Sequence, residues 1–336
     1  MTEGAARPGL NPERLARLMY ATIEGCRLNL SGHTVLTEAA TGPYVVTPVL
    51  AALAGAEVHA LAAPTRYATS GELEELTSEL ADRVGVLDRV HFVSDKHSEI
   101  VAAADIVTNS GQVRPIDAEM VSEMKLGAVV ALMYESWEYR AEDVDLDACR
   151  ARDILVAGTN ECHPAVDVFA FLGPMAVKQL HDAGIAVYRS RIVVLCDNPF
   201  AAFIARGLRA CGAEVVAAAG LSESDLAEGC DAVLVALQPH AGYVIDSAAA
   251  ALMSRAAPGA VLVEFWGDTD REALTAAQVP VWPAAAPAAG HMAVLPSAVG
   301  PEPIVRLQAG GLKVGEVLAR GLDQASPIER AFVQLM

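Results

Sequence analysis

Basic residues are scarce in this chain, and their scarcity excludes one large class of partner. The 336 residues include 24 Lys and Arg against 42 Asp and Glu, a formal net charge of −18. Nucleic-acid binding draws its affinity from clustered Lys and Arg side chains that neutralise phosphates. We therefore expect no nucleic-acid partner and an acidic surface.

Long apolar runs and paired cysteines are also missing. No window of about 18 residues is apolar throughout, so we expect no membrane-spanning segment. Met1–Gly4 do not provide the basic start of a signal peptide, and no apolar core follows them. The six cysteines are scattered without a Cys-x-x-Cys pair, which indicates reduced thiols and no zinc site. These absences predict a cytoplasmic protein without a bound metal.

The composition that is present indicates large buried cores. Hydrophobic residues make up 53% of the chain and charged residues 20%, which excludes a disordered chain. The length suits two domains and is short for three.

Four short segments occur twice in the same order and at similar spacings. Such repetition predicts two α/β units in tandem, with a ligand-binding cleft between them. The pairs are Gly55–Val58 with Gly212–Val215, Ala104–Val107 with Cys230–Val233, Ile116-Asp117 with Ile245-Asp246, and Gly127–Val130 with Gly259–Leu262.

Apolar strands alternate with helices along both repeats, which is typical of parallel sheets covered on both faces. The predicted fold class is α/β, with two tandem Rossmann-like doubly wound units. The first domain comprises residues 1–162 and the C-terminal helices of 301–336. The second comprises 163–300 and is entered through a long helix predicted from Pro164 to about His181.

Three segments carry a resemblance to a known family. Residues 143–160 are similar to the segment that ends its first domain, while 104–132 and 245–274 are similar to late strands of a dinucleotide-binding domain. The chain thus resembles, over about residues 100–320, the D-2-hydroxyacid dehydrogenase superfamily and its relatives around adenosylhomocysteine hydrolase. The resemblance implies NAD or NADP as cofactor and a small acid as substrate, both bound in the inter-domain cleft.

The sequence departs from that family at its functional motifs. The dinucleotide fingerprint Gly-x-Gly-x-x-Gly is absent from both Thr37–Tyr44 and Leu195–Ala201. The loop that holds the family's substrate arginine is Glu264–Asp268 here and contains no arginine. The family's acid/base histidine is matched only by His291, in a different order relative to Pro287. We therefore expect weak dinucleotide binding, and His291 is either a general acid/base or a loop-closing side chain.

Two loops that combine aromatic and acidic residues follow predicted strands in equivalent positions of the repeat. Tyr134, Glu135 and Trp137 lie in the first and Trp266 in the second. Both loops are predicted to face the cleft, with Glu135 in catalysis, Tyr134 and Trp137 on the substrate and Trp266 on the cofactor. The alternative is that both tryptophans pack against helices.

A polar segment precedes the predicted inter-domain helix. Glu161 and His163 are close enough for acid/base catalysis, and Asn160 is a substrate-binding candidate beside them. The alternative is an N-cap region with a solvated histidine. Asn109, after the fourth predicted strand, is a further substrate-binding candidate.

The cofactor is predicted to contact the loop after the first strand of the second unit. Asp197, Asn198, Pro199 and Phe200 form this loop, and His240 follows a neighbouring strand. An Asp at this place can accept a hydrogen bond from a ribose hydroxyl, but Asp-Asn-Pro is equally a turn that caps the next helix.

Three functions remain open from the sequence. The first is an NAD(P)-linked oxidoreductase acting on a small polar, carboxylate-bearing metabolite. The second is a non-redox lyase, transferase or hydrolase acting on a small polar or nucleoside-like metabolite. The third is a non-catalytic ligand-binding subunit. In each case we expect a small-molecule ligand, no membrane contact and a homo-oligomer, with a dimer as the simplest form.

Overall fold

The computed structural model describes residues 7–226 and 229–336. Met1–Gly4, considered above for a signal peptide, lie outside the described residues. The chain divides into two compact units. The first comprises the residues up to Val168 together with Gly300–Met336, and the second comprises Phe169–Val299.

The first unit is built on parallel strands that alternate with helices. Its strands are β1 (Thr34–Glu38), β2 (Glu57–Leu61), β3 (Val90–Val93), β4 (Ile106–Thr108), β5 (Val129–Ala131) and β6 (Leu155–Thr159). Its helices up to β6 are α1 (Pro12–Cys26), α2 (Val46–Leu53), α3 (Ser70–Arg83), α4 (Ser98–Ala103), α5 (Ala118–Glu123) and α6 (Leu146–Ala151). The strands lie in the order β6-β5-β4-β1-β2-β3.

The second unit repeats this plan with a smaller sheet. Its strands are β7 (Arg191–Leu195), β8 (Glu214–Ala218), β9 (Ala232–Ala236), β10 (Val261–Trp266) and β11 (Val281–Trp282), all parallel and ordered β11-β10-β9-β7-β8. Its helices are α7 (Leu172–Asp182), α8 (Phe200–Ala210), α9 (Glu223–Leu226), α10 (Ser247–Ala256) and α11 (Arg271–Ala276).

The C-terminal segment belongs to the first unit. Helix α12 (Glu302–Arg320) is buried along most of its length, and α13 (Pro327–Arg330) follows it. Strand β12 (Val333–Leu335) then pairs antiparallel with β6 at the edge of the sheet. This strand was not predicted from the sequence, because a run of three residues is too short a pattern to be recognised.

Matched aspartates explain why the repeat is visible in the sequence. Asp105 accepts a hydrogen bond from the Thr34 backbone N–H at 2.7 Å, and Asp231 accepts one from the Arg191 N–H at 2.8 Å. These bonds join the start of one strand to the start of its neighbour in both units. Each of the two Asp side chains therefore connects equivalent strands of its own sheet. The predicted tandem Rossmann-like fold is confirmed.

A second pair of aspartates begins equivalent helices. Asp117 accepts from the Met120 N–H at the start of α5, and Asp246 accepts from the Ala249 N–H at the start of α10. Each replaces one of the hydrogen bonds that the first helical turn cannot form within itself.

The long helix predicted from Pro164 does not exist as such. Residues 163–167 form turns, in which Val166 N–H donates to the His163 carbonyl at 2.8 Å and Asp167 adopts a φ of 47°. A positive φ is incompatible with a right-handed helix, so α7 begins only at Leu172. Glu161 and His163 therefore do not lie at the N-terminus of a helix.

None of the helices in the described ranges combines the length and the apolar character that crossing a membrane requires.

The matched helix caps generate a stability prediction. Asp117→Ala and Asp246→Ala should each lower the free energy of unfolding by about 1 kcal/mol, because each leaves an N–H of the first turn without its acceptor. Urea denaturation of both variants measures the effect. Glu119→Ala, an exposed acid in α5 without a capping role, is the control. A neutral result for either Asp variant would contradict the equivalence of the two caps.

Candidate functional site

Four glutamates gather at the carboxyl edge of the first sheet. Glu38 is the last residue of β1, Glu135 and Glu138 lie in the loop after β5, and Glu161 follows β6. Open α/β sheets bind their ligands at this edge. We call these four side chains, with Tyr44 from the segment before α2, the acidic edge.

Hydrogen bonds hold three of the four carboxyl groups. Glu135 accepts from the Glu161 backbone N–H at 3.0 Å and from the Trp137 indole N–H. Glu138 accepts from the Glu135 N–H at 3.4 Å. Glu38 accepts from the Gln112 N–H at 3.0 Å. The loops after β4, β5 and β6 are thereby tied to the acidic side chains themselves.

Two glycines make this close approach possible. A Cβ atom at Gly111 would lie 1.9 Å from a carboxylate oxygen of Glu38, and one at Gly158 would lie 2.4 Å from the Ser136 N atom. Both distances are far below van der Waals contact. Gly111 and Gly158 therefore let the loops that carry Gln112 and Glu135 pack against the neighbouring strands.

Glu161 is the most unusual member of the acidic edge. It is 8% exposed, and among the described residues no hydrogen bond or ion pair engages its carboxylate. Burial raises its pKa well above the usual range, and the negative charges of Glu138 and Glu135 raise it further. Its carboxyl group therefore lies beside two others without a counter-ion.

The same effects act on the rest of the acidic edge. Burial raises the pKa of Glu138 to about 7, and the charge of Glu135 adds to the rise, while a backbone hydrogen bond and the charge of Arg140 oppose it. Burial likewise raises the pKa of Glu38 and of Glu135, although hydrogen bonds to their carboxylates act in the opposite direction.

The charges of these carboxyl groups also act on Tyr44. Burial raises its pKa to about 12, and the charges of Glu38, Glu161 and Glu138 contribute to the shift. Its hydroxyl group thus remains neutral at physiological pH and can donate or accept a hydrogen bond among the acids.

The second unit carries a pocket at the equivalent edge of its own sheet. The pocket has a volume of about 430 Å³, within the usual range of small-molecule sites. It lies where β7, β8 and β9 end, at the point where the chain runs to opposite sides of β7. Its lining combines polar and apolar surface in similar amounts. The polar members are Asp197, Gln238 and His240, and the others are Leu195, Ala219–Leu221, Leu237, Val244, Ile245, Ala248, Ala249 and Leu252.

The loop after β7 is braced by Asn198. Its side-chain amide donates to the Ala236 carbonyl at 2.8 Å, and its side-chain oxygen accepts from the Phe200 N–H at 3.1 Å. Asn198 thereby connects the end of β9 to the start of α8, which is the arrangement expected of a turn that caps the next helix. Asp197 is exposed beside it and accepts from the Gln238 N–H at 2.9 Å.

Two predicted site residues make the contacts of packed structural groups. His163 is buried and stacks on Phe332 with ring centroids 3.6 Å apart, and its Nδ1 accepts from the Ala165 N–H. Asn160 donates to the Ala331 carbonyl at 2.8 Å and accepts from the Cys162 N–H. Both side chains fasten the C-terminal segment to the loop after β6.

The three other site residues predicted in the first unit have different surroundings. Tyr134 donates to Asp143 at 3.0 Å, an acid that also pairs with Arg114. Asn109 is buried and accepts from the Met133 N–H at 2.7 Å, while its amide nitrogen has no partner in the described residues. Trp137 is 41% exposed and stands beside Glu135.

Of the site residues predicted in the second unit, some lie in the core and others lie at the pocket. Trp266 and Phe200 are buried and in contact with each other, and the Trp266 indole donates to the Gly290 carbonyl at 3.1 Å. Trp266 is therefore a packed side chain of the second unit, which is the alternative considered from the sequence. Pro199 directly precedes α8, and His240 is exposed at the pocket. His291 is exposed in a turn closed by its own N–H on the Ala288 carbonyl.

Three members of the acidic edge, Glu38, Glu138 and Tyr44, were not predicted from the sequence. Glu38 ends a strand and Tyr44 follows closely, so strand-end position was the available signal for both. Glu138 could not be distinguished from a solvated acid in the sequence. Its burial depends on the close approach of its loop to β6, which Gly158 permits because it has no Cβ atom. No group of three or more His, Cys, Asp or Glu within residues 7–226 and 229–336 is arranged to hold a metal ion.

Comparison with solved structures shows what this architecture is similar to. The crystal structure of a dipicolinate synthase component from Bacillus halodurans is 12% identical, with a TM-score of 0.54, over 84% of this chain and 96% of that one. The corresponding dipicolinate synthase structure from Bacillus subtilis is 11% identical, with a TM-score of 0.55, over 89% and 98%. No family model and no curated protein matches the sequence.

A further similar structure is the NAD-dependent formate dehydrogenase from Staphylococcus aureus in complex with NAD, 13% identical over 86% of this chain and 95% of that one, with a TM-score of 0.49. At such identities the likeness concerns the fold alone. The two dipicolinate synthase structures thus support the tandem Rossmann-like fold that the sequence resemblance implies, and they assign no family.

The raised pKa values generate a prediction for stability against pH. Because the pKa of Glu138 is about 7 in the folded state and about 4.5 when unperturbed, the folded state loses stability as the pH rises through this interval. Glu138→Gln should remove roughly 1 to 3 kcal/mol of that loss. Chemical denaturation between pH 4.5 and 8 measures it, with Glu119→Gln as the control. An unchanged pH dependence in Glu138→Gln would contradict the assignment.

The contacts of His163 generate a second prediction. His163→Ala should lower the free energy of unfolding by about 1 to 3 kcal/mol, since it removes a buried side chain stacked on Phe332. A double-mutant cycle with Phe332→Leu should give a coupling of about 0.5 to 1.5 kcal/mol. Additive effects of the two substitutions would contradict the structural role and favour the acid/base role considered from the sequence.

Proposed function

We propose that this chain is an NAD(P)-linked oxidoreductase that acts on a small polar metabolite and binds the nucleotide in the pocket of its second unit. The observation that carries the proposal is the position of that pocket. It lies at the carboxyl ends of β7, β8 and β9 in a sheet of Rossmann order, where such sheets bind nucleotides.

The chemistry of the lining supports a nucleoside. Leu221, Leu237 and Leu252 offer apolar contacts for a planar base. Asp197 and His240 offer hydrogen-bonding groups for sugar hydroxyls at the rim. The dipicolinate synthase structures share this fold, and from them we carry over only the expectation of an enzyme.

The phosphate side of the pocket is less favourable, so we expect weak dinucleotide binding. Asn198 occupies the place of the second glycine of the fingerprint, and its side chain fills the space through which a pyrophosphate approaches the backbone. Asp197 adds a negative charge to the same loop. Ala219 and Gly220 after β8 provide no acid for the ribose.

Catalytic roles are proposed for the acidic edge. Glu161 and Glu135 are the acid/base candidates, because burial raises the pKa of each toward neutrality, where proton transfer is most effective. We do not retain His163 in this role, since packing accounts for its contacts. A carboxylate on the substrate, expected from the family, gains no support from an edge that gathers four acids. A cytoplasmic location, a homo-oligomer and the role of His291 stay predictions.

The loop after β7 also favours a second candidate. A non-redox enzyme on a nucleoside-like metabolite needs the pocket and Asp197 but no pyrophosphate site, and the bracing of the loop by Asn198 fits that requirement.

Blocking the pocket tests the proposal. Ala248→Trp places a large side chain on an exposed lining position of α10, while Ser254→Trp does so at an exposed position of the same helix that does not line the pocket. A fluorescence titration should show NADH binding that is weaker than micromolar and weakened about tenfold or more by Ala248→Trp alone.

Three outcomes decide between the candidates. Binding weakened by Ala248→Trp and not by Ser254→Trp supports the oxidoreductase. Binding of adenosine without NADH or NADPH favours the non-redox enzyme. Equal effects of the two tryptophans, or a sub-micromolar dissociation constant, would contradict the account of the loop.

A further inference from the structure

The loop after β7 already engages the N–H groups that would bind a phosphate at the pocket of the second unit. At the start of α8, the Phe200 N–H donates to the Asn198 side-chain oxygen at 3.1 Å, and the Ala201 N–H donates to the Asn198 carbonyl at 3.3 Å. In dinucleotide-binding folds, free N–H groups at this helix start hold the phosphates, with glycines in the preceding loop. A phosphate would therefore have to displace the Asn198 side chain.

Asp197 makes the same end of the pocket negative. Its Oδ1 atom accepts from the Gln238 N–H at 2.9 Å and from the Asn198 side-chain amide at 3.1 Å, so the carboxylate is held in place at the end of β7. No Lys or Arg is among the described residues that line the pocket. A phosphate bound there would meet a fixed negative charge and no cation to neutralise it.

The polar side chains of the lining offer hydrogen-bond acceptors. The Oδ2 atom of Asp197 has no hydrogen-bond partner in the part of the chain that the structure describes. The Nδ1 atom of His240 lies 3.1 Å from the Ala241 carbonyl, to which it can only donate, so Nε2 of the neutral ring is an acceptor. Hydroxyl and amino groups of a ligand can donate to these atoms, whereas a phosphate dianion has acceptors alone.

We propose that the pocket of the second unit prefers a nucleoside-like ligand without a phosphate, whose hydroxyl or amino group donates to Asp197, and that Asp197 determines this preference. The inference rests on the nucleoside site of the proposed function and names the class of ligand that the site favours. It concerns binding and not the reaction, so it applies to either candidate function. Weak dinucleotide binding is then a consequence of the same carboxylate.

Calorimetric titration of the full chain with three probes that differ only at the 5′ group tests the proposal. Adenosine is neutral at this group, 5′-amino-5′-deoxyadenosine carries a positive charge, and adenosine 5′-monophosphate carries a negative one. At about pH 8, above the range in which histidine ordinarily titrates, adenosine and the amino compound should each bind about tenfold or more tightly than the monophosphate.

Matched variants assign the preference to Asp197. Asp197→Asn keeps the shape of the side chain and an oxygen that can accept from the Gln238 N–H, but it removes the charge. Binding of the monophosphate should strengthen in this variant until it lies within about threefold of adenosine binding. Glu272→Gln makes the same change of charge at an exposed position of α11 in the same unit, and it should leave the ratio of the two affinities unchanged.

Three results would overturn the proposal: no binding of any probe up to about 10 mM, equal binding of adenosine and the monophosphate, or a preference that Asp197→Asn leaves unchanged. The NADH titration separates this inference from the proposed function. NADH binding that Ala248→Trp weakens, with equal binding of adenosine and the monophosphate, would refute the inference and leave the oxidoreductase standing. A preference for adenosine without any NADH binding would do the reverse.

Discussion

The burial of carboxyl groups without a cation is the constraint on which the account of this protein depends. Glu161 lies in the interior beside Glu138 and Glu135, and nothing in the described residues neutralises it. Desolvation and like charge both disfavour its ionised form. Such an arrangement does not stabilise the fold, which makes the acidic edge a candidate for ligand binding or proton transfer.

The two units show how one framework supports two different sites. Asp105 and Asp231 join strand starts, and Asp117 and Asp246 begin helices, in the same way in each unit. Asp105 and Asp231 lie at the edge of each sheet opposite the carboxyl ends of the strands, whereas Asp117 and Asp246 begin helices at the carboxyl-end edge. At the carboxyl ends the units differ, since the first gathers acidic side chains and the second forms a pocket that combines apolar side chains with Asp197, Gln238 and His240. The same framework of aspartates thus supports two different sets of side chains at the strand ends.

Much of the fold was predictable because its signals are local. The repeated segments that contain Asp105, Asp117, Asp231 and Asp246 marked equivalent strands and helices. The helix predicted from Pro164 was wrong, because the positive φ of Asp167 is not encoded by a glycine and left no sign in the sequence. Strand β12 was missed because its pairing with β6 is long-range.

The site was predictable only in part. Glu135 and Glu161 were identified from their positions after strands, which depend on local pattern. Whether a polar side chain faces a ligand or a neighbouring segment depends on tertiary contacts. His163 and Asn160 look equally reactive in the sequence, yet both bind the C-terminal segment. Glu38 and Glu138 look like solvated acids until Gly111 and Gly158 bring the loops onto them.

The protonation state of Glu161 tests the central claim most directly. Carbon-13 NMR of protein labelled at the glutamate side-chain carboxyl, with Glu161→Gln to assign the signal, would follow its titration without ligand. The account predicts a Glu161 carboxyl that ionises well above the ordinary range of a glutamate. A Glu161 signal that titrates near the usual pKa of a solvated glutamate would contradict it.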